Sequence, residues 1–311
     1  MANQANHSVR IVSLIPGGTE ILAALGLTDQ IVGRSHECDY PPEIHNRPVC
    51  TQARVNSHRP SREIHDDVND LLQSALSIYD IKTDILEKLQ PTHIITQDQC
   101  DVCAVSLAEV EKAVATLIHN SPQIISLKPN QLEDVWQDIE RVSNIFGVDS
   151  VKVLENLEAR VTICRRKIQG LSLTELPRVA CIEWTDPLMT AANWIPELVD
   201  LAGGQSQFSV TGQPSSTLSW ETLLKNNPDI IIFMPCGYDL NRTRQDAKLF
   251  TQRPDWQKLH ASQSGRVYIA DGHAYFNRPG PRLADSIEIL AEILHPEIFD
   301  YGYKGTAWDT I

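Results

Sequence analysis

Short apolar runs alternate with amphipathic stretches along most of the chain. Arg10–Ile15 reads as a buried strand, Thr19–Leu25 as a helix stopped at Gly26, and Ile31–Gly33 as a second strand. His93–Thr96 and Ile124–Leu127 are further strands, separated by a helix over Ala104–Ile118 in which Val105, Val110, Val114 and Leu117 fall near helical spacing. The rhythm resumes with a strand at Arg178–Glu183 and a helix at Ile195–Ala202, which ends at Gly203 and Gly204. A helix at Ser219–Asn226, with Ser219 as N-cap, precedes strands at Asp229–Met234 and Val267–Ala270 and a last long helix at Pro281–Leu294. A β-α-β rhythm of this kind predicts mainly parallel sheets covered by helices.

Between the two rhythmic halves the pattern changes. Leu132, Val135, Trp136, Ile139, Val142 and Ile145 keep a helical period until Gly147, and a charged helix follows over about Ser150–Ile168. About twenty residues rising 1.5 Å each make a rod of roughly 30 Å, suited to a strut between domains. The reading is therefore three segments: an N-terminal α/β lobe over 1–128, connecting helices over 129–172, and a C-terminal α/β lobe over 173–311. Val55–Leu89 stands apart and is expected to add a helix and a turn to the first lobe.

In open α/β sheets, ligands collect beyond the carboxyl ends of the strands. The segments expected there are Pro16-Gly17-Gly18, then Arg34 to Pro42, Gln97 to Cys103, Glu183-Trp184, Pro235-Cys236-Gly237-Tyr238, and Asp271 to Pro279. They are rich in aromatic, polar and small residues, as a large ligand requires. Pro16-Gly17-Gly18 lacks a phosphate-loop pattern; its glycines either let backbone approach a ligand or satisfy a turn. Candidate ligand-binding residues from these segments are Pro16, Gly17, His36, Tyr40, Gln97, Trp184, Tyr238, Tyr275, Phe276 and Arg278, with Trp194 added as an aromatic that lines either the site or the core. Cys38, Cys100 and Cys103 either pack structurally, hold Zn or another soft metal ion with His36 nearby, or act in redox chemistry. No Gly-x-Ser-x-Gly elbow or His-Glu-x-x-His is present, so no catalytic residue is assigned and a non-enzyme is expected.

Composition narrows the partners. Of 311 residues, 42% are hydrophobic and 22% charged, which is ordinary for a globular chain. A net charge of −13 repels phosphate backbones and anionic lipid, arguing against nucleic acid as a partner. No apolar run approaches the roughly 18 residues a membrane span needs, so no membrane insertion is expected. The first residues show no basic stretch followed by an apolar segment, and seven cysteines do not suggest a disulfide framework. A cytoplasmic location is expected, or a periplasmic one if a leader has been removed, and a monomer is expected.

Several segments resemble the helical-backbone (class III) substrate-binding proteins of ABC importers, which include cobalamin, haem and ferric-siderophore binders. They are Ile11-Val12-Ser13-Leu14-Ile15-Pro16 with Thr19-Glu20-Ile21-Leu22, Leu25-Gly26-Leu27, Asp39-Tyr40-Pro41-Pro42, Asn227-Pro228-Asp229-Ile230-Ile231-Ile232 and Phe276-Asn277-Arg278-Pro279-Gly280-Pro281-Arg282. The resemblance is to a leaderless, cobalamin-binding-like branch and covers nearly the whole chain outside Val55–Leu89. It implies two Rossmann-like lobes joined by a long rigid α-helix, with a corrinoid such as cobalamin in the interlobe cleft, bound for transport or intracellular handling. Pro16, Tyr40, Trp184, Tyr275 and Arg278 would line the pocket, and His36 would approach the cobalt. An ABC permease is the implied partner, met by Glu221 in the second lobe and, less directly, by Glu109 in the first. The alternatives are a binder of metal ion, haem or ferric-siderophore, and a corrinoid-remodelling or redox enzyme using Cys100-x-x-Cys103.

Overall fold

A computed structural model describes residues 9–74, 77–98, 106–117, 121–171 and 176–311. The chain divides into two compact units. Unit 1 comprises Met1–Arg59, Asp66–Lys128 and Glu140–Asp149; unit 2 comprises Pro60–His65, Pro129–Ile139 and Ser150–Ile311. The fold class is α/β, as the strand and helix periodicities require.

Unit 1 opens with β1 (Ile11–Ser13), α1 (Pro16–Ala24) and β2 (Ile31–Arg34). Then come β3 (Thr51–Ala53), α2 (Ser61–Gln73), β4 (Tyr79–Ile81), α3 (Thr83–Leu89), β5 (His93–Gln97), α4 (Leu107–Ala115), β6 (Gln123–Leu127) and α5 (Leu132–Phe146), α2 and α5 being shared with unit 2. Its sheet has the order β2-β1-β5-β6, and every pairing is parallel. All three residues of β1 are buried, as a parallel strand covered on both faces should be. One side of the core is built from Val12, Leu14, Cys50, Leu86, Ile94 and Val110. Burial pushes the Cys50 thiol up to about 12, so it stays a protonated, inert core group.

Helix α1 begins at Pro16, three residues earlier than its apolar pattern suggests. A proline in the first turn loses no hydrogen bond, because that N–H has no intrahelical partner. At Gly18 a Cβ would lie 2.6 Å from the Ile95 side chain, so glycine lets α1 press onto β5. Val55–Leu89 holds more than the expected helix and turn. It contains α2, β4 and α3, and β4 pairs antiparallel with β3 through Thr51↔Ile81 and Ala53↔Tyr79. A three-residue strand with Asp80 at its centre, paired outside its own segment, leaves no local periodicity to read.

Unit 2 continues with α6 (Val151–Ile168), β7 (Arg178–Thr185), β8 (Leu188–Thr190), α7 (Ile195–Leu201), β9 (Gln205–Ser206), α8 (Trp220–Asn226), β10 (Ile230–Phe233), α9 (Leu240–Thr251), α10 (His260–Gln263), β11 (Val267–Ala270), α11 (Leu283–Leu294) and β12 (Trp308–Thr310). The strand order is β12-β11-β10-β7-β8, with β9 also on β7. β7, β10, β11 and β9 run parallel, while β8 and β12 are antiparallel. Ser219 caps α8 as expected, accepting from Thr222 N at 3.1 Å. One face of the sheet packs an aromatic cluster in which Phe250 meets Phe233 at 5.1 Å and Trp256 at 5.6 Å, both edge-on.

The other face carries α11, buried on almost every side. Its acidic residues survive there because each is paired. Arg160 of α6 donates to Asp285 and, at 2.9 and 2.6 Å, to the two Glu288 oxygens. Tyr303 donates to Asp285 and Glu288 at 3.0 Å. Glu292 accepts the Trp308 indole N–H at 2.7 Å. The eighteen-residue α6, about 27 Å long, thus packs along α11 within unit 2, and the last residues of the chain are tied to the same helix.

Arg160→Met should strand the Asp285 and Glu288 carboxylates. A fully buried pair broken on one side costs roughly 3–5 kcal/mol; with the Arg160 side chain 26% exposed, about 2–4 kcal/mol is expected by urea unfolding at pH 7. No change in midpoint would show that the pair does not hold α6.

Candidate functional site

Three adjacent parallel strands of unit 2, β7, β10 and β11, deliver their following segments to one edge of the sheet. β7 ends in Trp184 and Thr185. β10 runs into Pro235-Cys236-Gly237-Tyr238. β11 runs into a single π-helical turn, Gly272–Phe276, and then Asn277 and Arg278.

The Trp184 and Tyr238 rings meet at 5.3 Å with a 45° tilt. Trp184 is half-buried and Tyr238 buried. Arg242, from the first turn of α9, stands 4.6 Å over the Tyr238 ring and donates to its hydroxyl at 3.2 Å.

The turn after β11 is held from every direction. Asp271 caps it, accepting from Ala274 N at 2.7 Å. His273 N donates to Tyr238 O at 3.0 Å. Asn277 Nδ2 bridges Met234 O at 3.2 Å and Gly272 O at 3.0 Å, stitching the β10 segment to the β11 segment. The Trp194 indole donates to Phe276 O at 2.9 Å and Ser286 Oγ to Tyr275 O at 2.7 Å. A Cβ on Gly272 would fall 2.2 Å from Pro235 O, so only glycine allows the two segments this close. Burial pushes the Asp271 carboxyl above its ordinary value, against the Ala274 N–H that favours the charged form.

The turn presents Tyr275 and His273, both half-buried, and Arg282 lies 5.4 Å over the Tyr275 ring. Arg278 is buried and donates to the His273 ring. A guanidinium has no acceptor, so the His273 nitrogen facing it carries the lone pair.

In unit 1 the corresponding edge holds Pro16 and Gly17, both buried in the first turn of α1, with Gln97 buried at the end of β5. After β2, Arg34 donates to Cys38 O at 2.8 Å and shapes the turn that carries His36. His36 Nδ1 lies 2.7 Å from Thr51 Oγ1 and Nε2 lies 3.2 Å from the Glu37 carboxylate, while the ring tilts against Tyr79 at 5.4 Å. Both ring nitrogens therefore face groups of unit 1. Tyr40 is 44% exposed.

Cys38 is fully enclosed. Its sulfur receives the Thr19 hydroxyl at 3.0 Å beside Ser13, which places it beneath the turn. Cys100 and Cys103 lie outside the described residues, and among the described residues no three His, Cys, Asp or Glu groups gather to hold a metal ion.

Of the residues singled out in the sequence, Trp184, Tyr238, Tyr275, Phe276, Arg278 and Trp194 come to one edge of unit 2. Phe276 and Trp194 serve there beneath the turn: Phe276 is fully buried and Trp194 5% exposed. Glu109 and Glu221 each sit in the first turn of a serine-capped helix, Glu109 half-buried and Glu221 exposed. His273, Asn277, Arg242, Asp246 and Ser61 were not singled out. His273 and Asn277 had a signal, lying in the Asp271–Pro279 segment among Tyr275, Phe276 and Arg278; Arg242, Asp246 and Ser61 reach the site only through the fold.

Residues 11–274 match the periplasmic binding protein family, and the chain belongs to it. The chain is 23% identical over 297 residues to an uncharacterized ABC transporter substrate-binding lipoprotein, YvrC of Bacillus subtilis, covering 93% of this chain and 81% of that one. It is 24% identical to the vitamin B12-binding protein of Vibrio parahaemolyticus over 93% of this chain and 90% of that one. A periplasmic heme binding protein from Pseudomonas aeruginosa superposes with a TM-score of 0.71 at 16% identity, covering 93% of both chains. These likenesses make it a substrate-binding protein in fold and family, and among the described residues no helix is long and apolar enough to cross a membrane.

Gly272→Ala should force the β10 and β11 segments apart, costing about 2 kcal/mol or more by denaturant unfolding; a wild-type midpoint would show that the contact is soft. A second expectation concerns pH. Because burial raises the Asp271 carboxyl above 3.8, its contribution to stability is fullest below that value and is lost as pH rises through the raised one. Asp271→Asn keeps an acceptor for the cap, so the variant should gain stability relative to wild type as pH rises from 4 to 7. Parallel stability curves would show that Asp271 does not titrate differently on folding.

Proposed function

We propose that this protein binds a corrinoid of the cobalamin type against the carboxyl edge of the unit 2 sheet, as the ligand-holding component of an ABC-type system. The observation that carries the reading is the set of Trp184, Tyr238 and Tyr275 on adjacent strand ends, with the buried Arg278 beside them. A flat macrocycle offers broad apolar faces to aromatic rings and amide or phosphate oxygens to a guanidinium. The aromatic rings are pre-set by bonds within the unit, so little ordering entropy is lost when a ligand arrives. Kinship to a vitamin B12-binding protein along 93% of the chain supports the corrinoid, and likeness to a periplasmic heme binding protein of the same fold makes haem the alternative. In the same reading Glu109 and Glu221 face a permease.

Calorimetry with cyanocobalamin, cobinamide and haemin tests this. Both corrinoids should release heat on binding, and Trp184→Ala should weaken them about tenfold, equivalent to about 1.4 kcal/mol. Heat with haemin alone would reassign the ligand to haem, and no heat with any of the three would sink the reading.

A further inference from the structure

Beneath the Trp184–Tyr238 pair lies a buried polar chain. Asp246, on α9, is 5% exposed. Its Oδ2 accepts from Ser61 Oγ at 2.6 Å and from the Thr185 hydroxyl. Each hydroxyl has one proton, and a carboxylate only accepts, so both are committed to Asp246. Ser61 Oγ also lies 3.1 Å from Tyr238 OH, and the phenol must be the donor there. Arg242 donates to that phenol in turn. The bonds therefore run in one direction, from Arg242 through Tyr238 and Ser61 to Asp246, and such chains reinforce one another. Burial raises the Tyr238 phenol above its ordinary value and keeps its proton in place.

Ser61 holds the second ring as well. Its carbonyl accepts the Trp184 indole N–H at 3.2 Å, an N–H shared with Asp186 O at 3.1 Å. One serine thus fixes both aromatics, Tyr238 through its hydroxyl and Trp184 through its carbonyl. The Thr185 bond to Asp246 anchors the strand end next to Trp184.

We propose that Asp246 is a positioning residue for ligand binding, which through Ser61 and Thr185 sets the spacing and tilt of the Trp184 and Tyr238 rings. The inference rests on the reading of this edge as the ligand site. It adds that affinity is governed by a carboxylate beneath the rings, contributed by a helix with no expected part in binding.

The test uses the full chain labelled at tryptophan nitrogen, with the Trp184 indole signal assigned by Trp184→Phe. Asp246→Ala should shift that signal, speed its exchange with solvent about tenfold and raise the Kd for cyanocobalamin about tenfold. Asp246→Asn retains an acceptor for both hydroxyls and should stay within about threefold of wild type. In a Trp184→Ala background, Asp246→Ala should add less than about threefold, because the ring it positions is gone. Full additivity in that background, or an unmoved indole signal, would overturn the proposal. If Asp246→Ala does not fold, Ser61→Ala removes the same link and is held to the same outcomes. Wild-type protein that binds neither cyanocobalamin nor haemin would defeat the ligand reading instead, and the indole signal would then decide alone whether Asp246 sets the ring.

Discussion

Parallel pairing of β7, β10 and β11 places three consecutive strand ends on one edge, and backbone chemistry does the rest. Each segment leaving that edge carries N–H and C=O groups that need partners once they pack together. Asp271, Asn277, Trp194 and Ser286 supply those partners for the turn after β11. Gly272 makes the arrangement possible, since backbone approaches backbone where any side chain would intrude. A turn held at so many points has little freedom left, which suits a surface that must meet a ligand ready-shaped.

Unit 2 tolerates the buried carboxylates of α9 and α11 because each is assigned donors. Glu288 and Glu292 face Arg160, Tyr303 and Trp308, while Asp246 faces two hydroxyls. The first pair fastens α6 and the end of the chain to α11. The third orients aromatic rings at the strand ends. Buried charge of this kind contributes little net energy but fixes geometry, because leaving any member unpaired is costly. Unit 1 combines neutral groups with Arg34 and Glu37 at its own strand ends. There Ser13, Thr19 and Cys38 close the turn into α1, and Thr51 bonds His36 from the side.

The sequence by itself determined the alternation of strands and helices in both halves, because buried parallel strands are continuous apolar runs and their helices carry an apolar stripe. It also determined which segments carry chemistry, since Trp184, Tyr238, Tyr275 and Arg278 all follow apolar strands. Tertiary structure decided what periodicity cannot encode. Helix α9 was illegible because its buried face includes Thr243 and Asp246 beside Ala247 and Phe250, so no apolar stripe marks it. The short strands β4 and β12 owe their existence to distant partners, as in the pairing of Trp308–Thr310 with β11. The dependence of both site aromatics on Ser61, more than a hundred residues away in the chain, arises only when hydroxyl, carbonyl and carboxylate are brought within hydrogen-bonding distance, a relation that no linear pattern contains.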